Sequence, residues 1–524
     1  MAIRRITESD PESDGLPGGD LRFAQIVIVE EQVTVNASVK AAGLFARNNI
    51  PVLGATLVVE GTLHSETNGI DFVTNAAEDD ANFIRITETG WVFSKIRGVL
   101  LGGQGSELVN EGLIESVESV TDHGTGNTIH NTGRIIGRSA GSTPAISLGV
   151  ESTLLNTGEI TGRGTAIRFG APVTGNPAGT LVGRDALLDN SGSISGQTGI
   201  LVASGSGHRI GNSGSIHGSE TAIVIGTTGA RIDNTGEIFG GETGLSVGIK
   251  GGGTVIFRNL GTLGGGDAAY ADTGAASDRI FNSGTILGDV ETGGGSDVLR
   301  NMGVIDGFLR LGEAGDAYRG VGNGYVTGIV FGEAGLDQLF GGQLDDRLDG
   351  GAGNDILLGF AGDDALTGGE GDDLLAGGTG DDLLQADAGN DRVQGGDGDD
   401  SGSGGAGNDS LTGGRGDDDL SGGSGDDLLT GGAGEDVLTG GKGFDTFRFT
   451  LANGHDAVTD FTYDIDLVDL RAFGLLGLQA MKDAGAIVQT AGGTLIDLGL
   501  LGGEGSVLLE RSIAADLIDG DFLF

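Results

Sequence analysis

From Gly341 to Arg448 the chain repeats every nine residues, in register and without a gap, through twelve copies. Middle copies read Gly368-Gly-Glu-Gly-Asp-Asp373-Leu-Leu-Ala, Gly377-Gly-Thr-Gly-Asp-Asp382-Leu-Leu-Gln and Gly422-Gly-Ser-Gly-Asp-Asp427-Leu-Leu-Thr. The sixth position is Asp in all twelve, and the eighth is apolar in all but one. Gly332-Glu-Ala-Gly-Leu-Asp337 is a thirteenth, worn copy, and Gly295-Ser-Asp297-Val-Leu299 a stray relative. Glycines at positions one, two and four let the backbone turn with its carbonyls facing one groove. The last three positions form a short strand with one inward side chain. Glycine at this density (108 of 524 residues) argues against long helices, where each one costs about 1 kcal/mol. In-phase apolar positions likewise speak against a disordered linker.

Successive repeats alternate sides, so the twelve aspartates form two columns. Neighbouring carboxylates about 5 Å apart repel by ~1 kcal/mol in water and ~3 at an effective dielectric of 20. The block carries twenty-five acids against five bases. A hard cation wanting six to eight oxygens is the natural counter-charge, and only successive turns together can supply that many. Metal and coil are therefore expected to assemble together.

The nonapeptide resembles the RTX (repeats-in-toxin) family of calcium-binding repeats. The resemblance implies a calcium-binding parallel β-roll holding several Ca²⁺ ions and a secreted protein. It also implies metal roles for Asp337, Asp346, Asp355, Asp364, Asp373, Asp382, Asp391, Asp400, Asp409, Asp418, Asp427, Asp436 and Asp445. Three departures predict weaker or absent sites at Asp346, Asp391 and Asp400. Leu344 replaces a fourth-position Gly, Ala386-Asp387 replaces a Gly pair, and Gly402 stands at an inward apolar position. Asn453-Gly-His-Asp456-Ala-Val-Thr-Asp460-Phe461 is similar to the cap that follows RTX repeats, which implies further calcium ligands at Asp456 and Asp460. Asp464 stands where the family often has Gly. The last residues, Ala515 to Phe524, resemble an uncleaved type I secretion signal. Met1 to Asp20 has no apolar h-region, so a type I exporter is the expected partner.

A second, longer period precedes the first. Asn131-Thr-Gly-Arg-Ile, Asn156-Thr-Gly-Glu-Ile, Asn190-Ser-Gly-Ser-Ile, Asn212-Ser-Gly-Ser-Ile and Asn234-Thr-Gly-Glu-Ile continue through Asn259, Asn282 and Asn301, with a looser copy at Asn110. A second element keeps step: Thr165-Ala-Ile, Thr198-Gly-Ile, Thr221-Ala-Ile and Thr243-Gly-Leu. Short strands between such corners describe coils of a parallel β-helix, in which the Asn amides line up as an internal ladder. The pattern resembles right-handed β-helices of bacterial surface and secreted proteins. Gln25-Ile-Val-Ile-Val-Glu and Thr56-Leu-Val-Val-Glu read as cap and first coils.

The expected fold is thus all-β: a disordered tail (1–20), a right-handed parallel β-helix (21–310), a transition (311–331), the calcium-binding β-roll (332–448) and a small C-terminal β cap carrying the secretion signal (449–524). The net charge of −46 speaks against nucleic acid and anionic membranes. There is no cysteine for a disulfide or a thiolate site, and no apolar run long enough to span a bilayer. His-Glu-x-x-His is absent, so serralysin-type proteolysis is not expected. Gly244-Leu-Ser246-Val-Gly248 matches a nucleophile elbow, but it lies in a strand repeat. Arg138 and Arg163, at equivalent repeat positions, form a candidate anion spot, with Glu159 as a candidate partner. The reading is an extracellular, non-catalytic surface, matrix or adhesion protein whose outside partner is a polysaccharide or a cell surface. A carbohydrate-active lyase or epimerase on the β-helix is the alternative, and a pore-forming toxin the third.

Overall fold

The computed structural model describes residues 2–6, 25–29, 34–37, 44–45, 56–65, 68–72, 82–141, 143–170, 185–248 and 253–524. The architecture is all-β, a parallel β-solenoid, as the two periods predict. The chain divides into two compact units, Met1–Gly293 and Gly294–Phe524. Of the expected tail, Ala2–Ile6 is described and runs parallel to Gln25–Val29, which pairs in turn with Thr56–Val59. The rest of 1–20 lies outside the described residues.

In the first unit each coil contributes short parallel strands that pair with the same strands one coil on. Arg209–Asn212 lies between Leu187–Asn190 and Arg231–Asn234, in register throughout. Alternation then sends one residue in two inward. Ile129, Leu154, Leu188, Ile210, Ile232 and Phe257 stack as one buried column, and Ile135, Ile160, Ile194, Ile216, Ile238 and Leu263 as another.

At the corner the recurrent asparagine does what its repetition predicts. The Nδ2 of Asn110 donates to Oδ1 of Asn131, and the same bond continues through Asn156, Asn190, Asn212, Asn234 and Asn259 to Asn282, at 2.7–2.9 Å. These amides are buried, where an unpaired one costs about 1–3 kcal/mol, so the ladder fixes the register of every coil at once. The glycine two residues on is required by contact rather than by a left-handed φ. A β-carbon on Gly214 would run into the Gly192 carbonyl of the coil before.

The second unit winds with two repeats per turn. On one face Ile356–Ala361, Leu374–Thr379, Arg392–Asp397, Ser410–Arg415 and Leu428–Ala433 pair in parallel at an offset of eighteen residues. On the other, Arg347–Ala352 through Val437–Lys442 do the same. The eighth-position side chains fill the space between: Leu348, Leu357, Leu366, Leu375, Leu384, Val393, Leu411, Leu420, Leu429, Leu438 and Phe447 are all buried. At Gly402 the neighbouring side chains close in, with Leu420 Cδ2 2.9 Å and Val393 Cγ1 3.5 Å from where its β-carbon would stand.

The cap closes this unit. Ala452–Val458 pairs with Val437–Lys442 and with Glu504–Glu510, which continues antiparallel into Gly493–Asp497 and Ile487–Gln489. Leu478–Ala484 is a short helix whose first amide donates to Asp519 Oδ1 (2.9 Å). The last strand, Phe522–Leu523, pairs with Leu467–Asp469, and Asp521 is buried, accepting the amides of Asp464 and Ile518. The terminal segment expected to carry the export signal is therefore part of the folded cap. Asp464 adopts φ +58°, in the left-handed region that favours glycine. Among the described residues no helix is long and apolar enough to cross a membrane.

Candidate metal centre

In nine of the twelve repeats two glycines take left-handed backbone angles. In the fourth copy they are Gly369 (φ +110°) and Gly371 (φ +126°). The first glycine is not left-handed, and its reason is space. A β-carbon on Gly350 would lie 2.5 Å from Asp355 Oδ2 and 2.7 Å from the Gly368 carbonyl oxygen; on Gly368, 2.5 Å from Asp373 Oδ2 and 2.8 Å from the Ala386 carbonyl. Each first glycine thus keeps open a notch where a carboxylate oxygen and a carbonyl of the next turn converge.

The sixth-position aspartates line these notches in two rows. In one row the amide of Asp337 donates to Asp355 Oδ1, and the bond repeats through Asp373, Asp391, Asp409 and Asp427 to Asp445 at 2.7–3.0 Å. In the other it runs from Asp346 through Asp364, Asp382, Asp400 and Asp418 to Asp436 over the same range. All thirteen are at most 3 % exposed. One oxygen is thereby used to stitch the turns together. The other, Oδ2, has no hydrogen-bond partner in Asp337, Asp355, Asp364, Asp373, Asp382, Asp391, Asp400, Asp409, Asp418, Asp427 or Asp436.

A buried carboxylate oxygen without a donor is costly unless a cation meets it. Burial, and then the neighbouring carboxylates, push these acids up: to about 7 for Asp373, Asp382, Asp418 and Asp427, and to about 6 for Asp337, Asp391, Asp400 and Asp445. The donor set is hard oxygen only, one carboxylate with backbone carbonyls, which suits calcium. Among the described residues no cluster of three or more His, Cys, Asp or Glu side chains is placed to hold a metal ion.

The family model of the RTX calcium-binding nonapeptide repeat, four copies long, matches residues 340–375, 376–411 and 412–447. These residues are RTX calcium-binding repeats. Comparison with curated proteins finds no match to the chain.

The departures within the RTX repeats have local causes. Asp346 Oδ2 accepts the Gly342 amide (2.7 Å), unlike its neighbours. Ala386 stands where the other eleven repeats have their first glycine, and Asp387, at a position that is glycine in most copies, takes φ +69°. Asp400 keeps its notch beside Gly395 and the surroundings of its neighbours. Asp456 continues its row, its Oδ1 accepting the Asp436 amide (3.3 Å) and its Oδ2 the Asn453 side chain (2.9 Å). Asp460 is engaged differently, with both oxygens on the amides of Gly440 and Gly441 (3.0 and 2.8 Å).

The structure adds row members outside the nonapeptide register. The amide of Asp297 donates to Asp316 Oδ1, and that of Asp316 to Asp337 Oδ1, both at 2.7 Å. At the other end the Asp445 amide donates to Asp466 Oδ1 (3.2 Å). Asp316 lies in Gly312-Glu-Ala-Gly-Asp316, one residue shorter than Gly332-Glu-Ala-Gly-Leu-Asp337, and the shared Gly-Glu-Ala-Gly was the available signal. Burial, then the Asp297 and Asp337 carboxylates, raise Asp316 to about 8.

Elsewhere the candidate chemistry is engaged structurally. Ser246 lies in Thr243–Val247 in register with Val224, as its repeat position predicts. Arg138 pairs with Glu115 and lies over the Phe93 ring, while Glu159, its expected partner, binds Arg134. His130 faces Glu107 and His217 faces Glu237, at 3.5 and 3.4 Å.

Proposed function

We propose that this is a secreted protein holding several calcium ions, with a non-catalytic surface, matrix or adhesion role, whose repeat block folds on meeting calcium outside the cell. The observation that carries it is the pair of buried aspartate rows, in which Oδ1 accepts the amide of the turn before and Oδ2 of eleven of the thirteen has no hydrogen-bond partner. The residues that would hold calcium are Asp337, Asp346, Asp355, Asp364, Asp373, Asp382, Asp391, Asp400, Asp409, Asp418, Asp427, Asp436 and Asp445, with Asp456 and Asp460 from the cap. Bound calcium supplies positive charge between stacked carboxylates. The chain's own part is to aim Oδ2 and carbonyl oxygens into one notch, to hold the turns in register through Oδ1, and to exclude water by burial.

Coupling of binding to folding follows from the same geometry, because no notch exists until two turns have stacked. The packing of Phe522 and Asp521 in the cap supports export before folding, when the terminal segment is free to meet a type I exporter. The pairing of Arg138 with Glu115 and of His130 and His217 with glutamates supports a binding role over a carbohydrate-active one. Circular dichroism of the full chain in millimolar calcium and in chelator tests the reading, together with equilibrium dialysis. Stoichiometric uptake with a gain of β signal is expected; full β signal in chelator with no uptake would overturn it.

A further inference from the structure

The two rows differ at their outer edge. The fifth residue of each repeat stands at the surface beside the buried aspartate that follows it. Its Oδ1 accepts the amide of the residue eighteen further on, at 2.7–3.1 Å, so a second ladder runs along each edge. Along the Asp346 row this residue is Asp345, Asp363, Asp381, Asp399, Asp417 and Glu435, all acidic. Along the Asp355 row it is Asn354, Asp372, Asn390, Asn408, Asp426 and Phe444, of which two are acidic.

The ladder does not need that charge. Asn354, Asn390 and Asn408 accept the same amide bond at 3.1, 3.0 and 2.9 Å. Aspartate in their place adds repulsion between turns and no additional hydrogen bond. Among the described residues none of the six outer acids of the Asp346 row forms an ion pair. Third-position charges do not offset the difference: Asp397 and Arg415 pair with each other on one edge, and Glu370 and Lys442 balance on the other. Outer acids reach the buried aspartates along both rows, Asp345 and Asp363 acting on Asp364 and Asp381 and Asp399 on Asp400, while Asp372 and the second-position Asp387 act on Asp391; the rows differ in how many fifth-position acids they carry.

We propose, resting on the calcium reading above, that the two rows load unequally, the Asp346 row binding calcium at the lower free concentration because its edge carries the additional charge. One unit charge about 8 Å from a divalent ion in water changes affinity roughly sixfold, falling to about twofold when screened at 0.15 M salt. The row with acids at every turn fills first, and the second row follows as calcium rises.

The test is a calorimetric calcium titration of the full chain at low and at 0.15 M salt. The wild type is compared with a D363N/D381N/D399N triple variant and an N354D/N390D/N408D triple variant. Both preserve the acceptor of the outer ladder, and circular dichroism in saturating calcium checks that each folds. The wild type is expected to titrate in two phases that draw together with salt. The first variant should merge them by weakening the tight phase several-fold, the second by tightening the weak one. Phases or midpoints that neither variant moves would overturn the unequal loading while leaving calcium uptake intact. A wild type that takes up no calcium would overturn both readings.

Discussion

Replacing Gly368 by alanine adds one methyl group where Asp373 Oδ2 and the Ala386 carbonyl approach to 2.5 and 2.8 Å. Gly368 is not among the left-handed glycines, so the methyl asks for no left-handed backbone angle; it fills the notch, and the Asp373 carboxylate and the Ala386 carbonyl must give way to it. A site at one hundred times its dissociation constant stabilises the folded form by about 2.7 kcal/mol. Gly368→Ala is therefore expected to lower the unfolding free energy by about 2–3 kcal/mol in saturating calcium, and to reduce the bound calcium by one ion. The assay is denaturant unfolding of the full chain in millimolar calcium and in chelator, alongside equilibrium dialysis. Ala386→Gly is the reciprocal change, removing the methyl already present in that row, and should tighten binding there. An unchanged stoichiometry for Gly368→Ala, or the same destabilisation with and without calcium, would show that the glycine serves packing and not an ion.

Asn212→Ala takes the donor from the buried Asn234 Oδ1 and leaves Asn190 Nδ2 only the Gly192 and Ser215 carbonyls, and should cost about 1–3 kcal/mol in denaturant unfolding. That loss should be independent of calcium. Asp469 accepts hydrogen bonds from Arg471 and Arg448, which hold its carboxyl well below the usual carboxylate range. Its contribution is present above the unfolded value near 4 and is lost as pH falls below it. Asp469→Asn should thus destabilise the cap at pH 7 and flatten the acid limb of an unfolding profile. Chelation of the wild type should abolish most of the β signal of the repeat block, and restored calcium should return it, as followed by circular dichroism.

Both repeats were legible because each returns one chemical type with the same neighbours, at a fixed nine residues in one and at intervals mostly of 19–25 in the other. A single apolar residue every nine, with Asp two positions before it, admits one inward column and one row per face. The Asn ladder was readable for the same reason. Asp316 and Asp466 were not, since their intervals to Asp337 and Asp445 are twenty-one residues where the array has eighteen. The outer ladder at the fifth position was hidden differently: Asp and Asn are exchangeable there, and on paper both look like solvated turn residues. The partner of Arg138 was misassigned because side chains reach either the coil before or the coil after, a choice that spacing alone leaves open.

The eighteen-residue offset has a consequence for how such an array can change length. Gain or loss of a single nonapeptide would transfer every later repeat to the opposite face, joining Asn-edged turns to Asp-edged ones and mixing the two series. Gain or loss of a pair keeps each series intact. Viable insertions and deletions in this block should therefore come in whole turns, so that its inherited unit is the doublet.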